Sequence, residues 1–275
     1  MGKSLAAAFA SGRWRAPAWL AEAGGALARI VLPAGCRLCE QLLTGASRLP
    51  VCEDCLASFP RIRGSVCREC GVLIDSVSGD EDSDGAGPGE LFEDVCLGCR
   101  SEKFHFDRAR SFARYQGSLV RAMVLLKFAE MELADWFADR LAEVAGENGT
   151  ALKADLIVPV PLHKIGRRAR GLNRAEMLSK RLAKRLGLPR QGILLVRKRP
   201  RPDKHLLTSN ERWEAVRGAF ATRPGSQVDK QRVLLVDHVM TTLDACAKAL
   251  REAGASSVLG LTVARAILNW QKVSR

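Results

Sequence analysis

The chain has 275 residues, of which 43 are Lys or Arg and 30 are Asp or Glu, so its formal net charge at neutral pH is +13. Hydrophobic residues make up 47% of the sequence, enough to bury a core, which excludes a fully disordered chain. No apolar run reaches the roughly 18 residues of a bilayer-spanning helix, which excludes an integral membrane protein of that kind.

The N-terminal segment, residues 1–33, is rich in Ala, carries scattered Arg and has no acid before Glu22. It faintly resembles a transit peptide, but the apolar stretch at 5–10 is short and is soon followed by Arg13, which is atypical of a secretory signal. From Trp19 apolar residues recur at helical spacing, so we expect an amphipathic helix packed on the body of the protein. Without a secretory signal, the expected compartment is the cytoplasm.

Eight of the nine cysteines form four C-x-x-C pairs before residue 100. Two thiolates two residues apart can bind one metal ion from the same side, and two such pairs complete the tetrahedral four-sulfur shell that Zn²⁺ prefers. Eight thiolates therefore predict two zinc ions, both structural, because no position is left for a catalytic water. The predicted ligands are Cys36, Cys39, Cys52, Cys55, Cys67, Cys70, Cys96 and Cys99.

The pairing of these cysteines is left open by the sequence. Sharing one metal between consecutive C-x-x-C pairs is the simplest arrangement, but interleaved pairs fit the spacing as well. A disulfide framework or a redox C-x-x-C is the alternative to zinc. A chain without a secretory signal keeps its thiols reduced, and four repeated pairs exceed what redox chemistry needs, so zinc is favoured.

An acidic segment, residues 75–94, separates the last two pairs and contains eight acids and no base. Such a Gly-rich, like-charged stretch cannot collapse, so we expect a disordered loop. Cysteines then stop after Cys99, apart from Cys246, and this change in composition marks a domain boundary. The expected organisation is a leader over 1–33, a cysteine-rich domain over 34–100 and a second domain over 101–270.

The second domain alternates between strand-like and helix-like stretches. Short β-branched runs predict buried strands, and longer amphipathic runs predict helices. This alternation indicates a mostly parallel α/β sheet with helices on both faces, in which ligands bind at the carboxyl ends of the strands. The predicted strands cover 108–115, 155–161, 193–196, 232–237 and 257–264, and the predicted helices cover 119–128, 131–144, 174–186 and 243–253.

Two of the predicted strand ends carry polar side chains of unlike chemistry. At one, Asp237 precedes Thr241, Thr242 and a helix N-terminus, groups that could hold sugar hydroxyls and a phosphate. A strand that ends in Asp before a helix is also a common structural arrangement. At the other, the loop after Pro161 favours polyanions, because cations crowd there beside flexible glycines: Lys164, Arg167, Arg168 and Arg170.

The sequence resembles the ComF family over residues 34–267, on four C-x-x-C pairs followed in order by FDRARSFARYQGSLVRAMVLLKF, VPVPLHKIGRRARGLN, ERWEAVRGAF and VLLVDHVMTTLDACAKALREAGA. The resemblance implies a double zinc ribbon joined to a type I phosphoribosyltransferase domain. It also implies an association with natural transformation, in which single-stranded DNA enters the cytoplasm. The implied site for phosphoribosyl pyrophosphate (PRPP) comprises Asp237, Thr241, Thr242, His163, Arg170 and Lys127.

The PRPP motif departs from the family pattern, which usually has two adjacent acids and then Thr-Thr-Gly-Ala-Thr before the helix. His238 stands where the second acid belongs, and Leu243 follows Thr242 directly, so Gly-Ala-Thr is missing. One carboxylate fewer and a shorter loop predict weak or lost PRPP binding and catalysis. Mg²⁺ is expected only if PRPP binds.

Basic residues concentrate in residues 163–205, which contain 15 Lys or Arg and two acids. An arc of cations around a cleft suits a phosphate backbone, whose binding is driven by counterion release. A merely solvated basic helix face is the alternative. The predicted nucleic-acid contacts are Lys164, Arg167, Arg168, Arg170, Arg197 and Arg199.

Three functions from different classes remain. The sequence favours a protein that handles single-stranded DNA in natural transformation and keeps the phosphoribosyltransferase fold as a scaffold. The second is an active PRPP-dependent phosphoribosyltransferase of the glycosyltransferase class. The third is a zinc-ribbon adaptor that contacts a competence helicase or a recombination-mediator protein.

Overall fold

The computed structural model describes residues 35–43, 48–74, 94–101, 103–126, 131–147, 152–163, 173–199, 216, 218–226, 228–240 and 242–266. The predicted N-terminal helix and residues 75–93 of the acidic segment lie outside this part of the chain. Among the described helices, none has the length and apolar character needed to cross a membrane.

Helices and strands alternate through the second domain, as its sequence predicts. The helices are α1 (Glu53–Ala57), α2 (Leu97–Ser101), α3 (Ser118–Leu125), α4 (Met131–Gly146), α5 (Arg174–Leu186) and α6 (Leu243–Glu252). The strands are β1 (Arg108–Arg114), β2 (Leu156–Pro159), β3 (Leu195–Arg197), β4 (Phe220–Thr222), β5 (Arg232–Val239) and β6 (Ser257–Arg265).

The central sheet has four strands in the order β1-β6-β5-β2, and all neighbouring pairs are parallel. The predicted mostly parallel sheet is therefore confirmed. Successive residues of β5 face opposite layers: Leu234 and Val236 pack with α3, α4 and α5, whereas Val233 and Leu235 pack with α6. Helices thus cover both faces, and the carboxyl ends of the four strands lie along one edge.

Three strands differ from the prediction. The strand predicted over 155–161 is shorter and covers Leu156–Pro159. The strand predicted over 232–237 continues to Val239, because Val239 still pairs with Ala264 of β6. The strand predicted over 193–196 is β3, which begins at Leu195 and pairs antiparallel with β4 outside the central sheet. The prediction missed β4 because three residues show no periodicity of their own.

The cysteine-rich segment packs against both faces of the sheet. Phe59 stacks on Phe137 of α4 with ring centroids 6.0 Å apart, which brings this segment into the core beneath α4. On the edge strand β1, Ala109 donates its backbone N–H to Glu69 O at 2.6 Å, and Arg61 forms an antiparallel bridge with Ala113. The segment therefore covers the free edge of β1 as well as part of the core.

Candidate metal sites and ligand cleft

The structure brings the eight C-x-x-C cysteines into two clusters, and the sulfur atoms within each cluster lie within 4.8 Å of one another. All eight are free thiols. The clusters follow sequence order, so consecutive pairs meet and the interleaved pairing is not adopted. We call Cys36, Cys39, Cys52 and Cys55 the first cluster and Cys67, Cys70, Cys96 and Cys99 the second cluster.

Backbone N–H groups point at the sulfur atoms of both clusters. The Cys36 sulfur accepts from the backbone N–H of Cys52 at 3.3 Å and of Leu38 at 3.4 Å, and the Cys67 sulfur accepts from Cys96 N–H at 3.3 Å. Burial by itself would raise the pKa of Cys36, but these backbone donors lower it to about 6. The turns around Cys36 and Cys67 thus supply backbone donors that stabilise a thiolate.

In the second cluster, the pKa values show that the four cysteines need a bound cation in order to ionise together. Hydrogen bonds from Cys70 and Cys99 lower the pKa of Cys67, whereas the contact with Cys67 raises the pKa of Cys70 to about 11. Adjacent sulfurs therefore cannot all ionise unless a cation lies between them. Four converging sulfurs of this kind are the donor set that a tetrahedral zinc ion takes, so the residues present fit the predicted metal.

The candidate ligand site lies at the carboxyl edge of the sheet, where β5 leads into α6. Asp237 is buried near the end of β5, and both of its carboxylate oxygens already accept hydrogen bonds. Oδ1 accepts from the His238 backbone N–H at 2.7 Å and from His238 Nδ1 at 2.6 Å, and Oδ2 accepts from Thr242 Oγ1 at 3.0 Å. Burial would raise the pKa of Asp237, but His238 and Thr242 outweigh it, so this pKa is lowered.

The N-terminus of α6 is occupied in a similar way. Thr242 holds the N-cap position, yet its hydroxyl makes no cap hydrogen bond because it donates to Asp237. Asp244, in the first turn, accepts from the His105 backbone N–H at 2.6 Å and contacts His105 Nδ1 at 3.1 Å. A carboxylate therefore already lies where the positive end of the helix dipole would attract an anion.

Several residues of the predicted PRPP and nucleic-acid sites fall outside the part of the chain that the structure describes: Lys127, Lys164, Arg167, Arg168, Arg170 and Thr241. His163 is the last described residue before the basic loop. On the far side of that loop, Asn173 donates its side-chain N–H to the Val160 carbonyl at 3.1 Å and caps α5 by accepting from Ala175 N–H. The described residues on either side of the basic loop therefore lie beside the carboxyl end of β2.

Arg197, a predicted nucleic-acid contact, is largely buried. Its side chain is 9% exposed, lies over the Phe220 ring at 5.1 Å and donates from Nε to the Arg199 carbonyl at 2.9 Å. The prediction treated its charge as part of the surface, whereas the side chain packs against Phe220 of β4. Arg199 itself is exposed.

Part of the basic run on α5 is paired within the protein. Arg181 and Arg185 form ion pairs with Asp135 and Asp139 of α4, which join the outer layers of the two helices. The remaining described cations of α5 include Lys180 and Lys184, both exposed. Since α5 runs from the carboxyl edge of the sheet towards the amino edge, these two lysines lie away from the cleft.

Two buried arginines beside the second cluster were missed by the sequence analysis. Arg110 of β1 donates to the carbonyls of Cys67 and Arg68, and Arg265 of β6 donates to Cys70 Sγ and to Met240 Sδ. The available signal was an Arg inside or at the end of an otherwise apolar buried strand. Such a side chain needs an internal partner.

Comparisons with known proteins find a related sequence and several distantly similar solved structures. No family model matches this chain. Competence protein F of Haemophilus influenzae is 25% identical over 223 residues, which cover 78% of this chain and 89% of that protein. A glutamine PRPP amidotransferase from B. subtilis, complexed with ADP and GMP, is 20% identical over 48% of this chain, with a TM-score of 0.31, and only 27% of its own length is covered. TT1426 from Thermus thermophilus is 15% identical over 50% of this chain and 84% of its own, with a TM-score of 0.30.

Proposed function

Because this chain belongs to the ComF family, we propose that it handles single-stranded DNA during natural transformation, on a phosphoribosyltransferase scaffold with a degraded PRPP loop. The name of its relative, Competence protein F, supports a role in competence. The observation that carries the loss of PRPP binding is that both oxygens of the Asp237 carboxylate already accept hydrogen bonds within the protein. The role implies a cytoplasmic location and, as further partners, a competence helicase or a recombination mediator.

A phosphoribosyl site needs carboxylates that hold the ribose hydroxyls as positive charge develops on the sugar. Here the remaining carboxylate, Asp237, is buried, and three protein donors occupy its two oxygens. Each hydrogen bond that must be exchanged costs about 0.5–1.5 kcal/mol. His238, in place of the second acid, offers no negative charge to the sugar. The site therefore favours loss of PRPP binding.

The short turn before α6 also disfavours binding of the 5′-phosphate of PRPP. Between Val239, the end of β5, and Leu243, the start of α6, only three residues remain to wrap a 5′-phosphate. A phosphate cradle needs several successive backbone N–H groups that point at the same anion. The Asp244 carboxylate in the first turn adds like-charge repulsion. An active transferase is therefore the less favoured function.

We propose that each cysteine cluster holds one structural zinc ion, with all four sulfurs of the cluster as ligands. Zinc supplies the positive charge that lets neighbouring thiolates coexist. The cysteine-rich segment contacts the edge strand β1 and the hydrophobic cores on both faces of the sheet. The two zinc sites therefore stabilise all three. No Mg²⁺ is needed unless PRPP binds.

We propose that the DNA-binding surface comprises the basic loop 164–172 and the exposed Arg199. The described residues that flank this loop lie beside the carboxyl end of β2, which favours a surface at that edge of the sheet. Single-stranded DNA that contacts several of them should bind with little sequence preference. The logarithm of the affinity should fall with the logarithm of salt concentration at a slope near −0.7 per phosphate contact.

Calorimetry on one sample separates the two functions by titrating PRPP with Mg²⁺ and, separately, an oligonucleotide of mixed sequence. The test variant reverses charge at Arg168, Arg170 and Arg199. The control reverses three exposed lysines that lie towards the amino edge of the sheet: Lys153, Lys180 and Lys184. Both variants change the net charge equally, so only the location differs.

We expect DNA binding in the parent and in the control, its loss in the test variant, and no PRPP binding. Equal DNA affinity in the test variant and the parent would show that the proposed DNA-binding surface is wrong. Tight, Mg²⁺-dependent PRPP binding by the parent would instead support the transferase.

A further inference from the structure

Arg265, the last residue of β6, joins the second cluster to the loop after β5. Its Nη2 donates to Cys70 Sγ at 3.2 Å, and its Nη1 donates to the Cys70 carbonyl and, at 2.8 Å, to Met240 Sδ. The side chain is buried, so these contacts replace water. One guanidinium therefore touches a proposed zinc ligand and a residue of the candidate PRPP loop at the same time.

Met240 is the first residue after β5 and belongs to the short connection that leads into α6. Its backbone N–H donates to the Ala264 carbonyl at 3.0 Å, so the backbone and the thioether of Met240 are both held by the end of β6. Thr242, two residues later, holds Asp237. Movement of Arg265 would thus reach the loop that the PRPP motif occupies.

The position of Arg265 depends on the charge of the second cluster. Four thiolates around one divalent cation leave a net negative charge, and a guanidinium that donates to a thiolate forms a charge-assisted hydrogen bond. When the metal ion leaves, the four sulfurs are no longer held around one point, so the Cys70 Sγ that Arg265 contacts loses its fixed position, and a buried cation without a fixed partner is costly. Arg265 must then find another partner or move towards solvent.

We propose that Arg265 is a positioning residue that couples metal binding at the second cluster to the conformation of the loop 240–242. This proposal depends on zinc binding at the second cluster. It does not depend on PRPP binding or catalysis near Asp237. Because such coupling is reciprocal, a change in the loop alters the zinc affinity of the second cluster, and loss of zinc alters the loop. The first cluster makes no described contact with Arg265 and takes no part.

The test is a double-mutant cycle on the full chain, with Arg265→Met, Met240→Ala and the double variant. Competition with a chelator measures the affinity of each of the two zinc sites. Arg265→Met should weaken one site by roughly 10-fold to 100-fold, as loss of an outer-shell partner does. Met240→Ala should weaken the same site by about 5-fold in the parent and have no effect in the Arg265→Met background.

Hydrogen exchange over residues 238–246 gives a readout that a merely structural role would not produce. In the parent, removal of zinc should speed exchange in this segment. In Arg265→Met, exchange should be fast both with and without zinc. Arg110→Met is the matched control, because Arg110 is also buried beside the second cluster but donates only to the carbonyls of Cys67, Arg68 and Ala109. It should leave exchange over 238–246 unchanged.

Two results overturn the coupling while leaving the zinc sites in place. One is slow exchange over 238–246 in zinc-loaded Arg265→Met, and the other is an equal effect of Met240→Ala with and without Arg265. If Arg265→Met does not fold, Arg265→Lys keeps the charge and the test proceeds with that variant and Met240→Ala. Absence of zinc from the second cluster would overturn both the coupling and the metal assignment there.

Discussion

Gly71 follows the third C-x-x-C and lies against the edge strand β1, and its replacement by Ala tests how the cysteine-rich segment docks. Its φ is +69°, and a Cβ placed there would lie 2.6 Å from the Ala109 carbonyl oxygen. That oxygen cannot retreat easily, because it accepts from Arg110 Nη1 at 2.8 Å and the Ala109 N–H donates to Glu69 O. Only a residue without a Cβ fits.

The cost of Gly71→Ala has two parts. The left-handed backbone costs about 1–2 kcal/mol for a residue with a Cβ. The overlap with Ala109 O adds roughly 1–3 kcal/mol, the range for overpacking in a rigid site. Gly64→Ala is the matched control, since Gly64 lies in the same segment with φ +98° but has no atom within 4 Å of the added Cβ. It should carry only the backbone cost.

Thermal unfolding of the zinc-loaded chain measures the difference. For a protein of this size each kcal/mol shifts Tm by about 2–4 °C, so Gly71→Ala should unfold several degrees below Gly64→Ala. The zinc content of both variants is measured in parallel, because a lost zinc would lower Tm by a different route. Equal Tm values at equal zinc content would show that Gly71 does not press against β1, and the docking described above would be wrong.

Three further outcomes are expected. Metal analysis of freshly reduced protein should give two zinc ions per chain, and a value below one would contradict the zinc assignment. Asp237→Asn should destabilise the chain more near pH 7 than at pH 3. The reason is that a carboxylate with a lowered pKa stabilises the fold at pH values above the pKa of the unfolded chain, and this stabilisation is lost as the pH falls through the pKa of the folded chain. An equal loss of unfolding free energy at both pH values, measured by denaturant titration, would refute this explanation. Insertion of Gly-Ala-Thr after Thr242 together with His238→Asp should restore PRPP binding in calorimetry, and continued absence of binding would show that the rest of the site is also lost.

The sequence by itself determined the elements whose signals are local. Helix α5 has the predicted bounds, because Asn173 caps its first turn and Gly187, in the left-handed conformation, ends it. The parallel sheet follows from the alternation of buried strands with helices, which forces crossover connections. The eight metal-ligand candidates follow from C-x-x-C spacing alone, since two thiolates in one turn face the same point.

Tertiary structure decided everything that depends on distant parts of the chain. It set which C-x-x-C pairs meet, and it extended β5 past Asp237 because β6 still offers a partner there. It buried the Arg197 side chain against Phe220 of β4, although the sequence there shows only a basic run. Arg265 meets Cys70 across 195 positions of sequence, and no local pattern encodes such a contact. The spacing of residues in the sequence determines which ligands or partners a segment can bind, whereas tertiary packing determines which segments come together in one site.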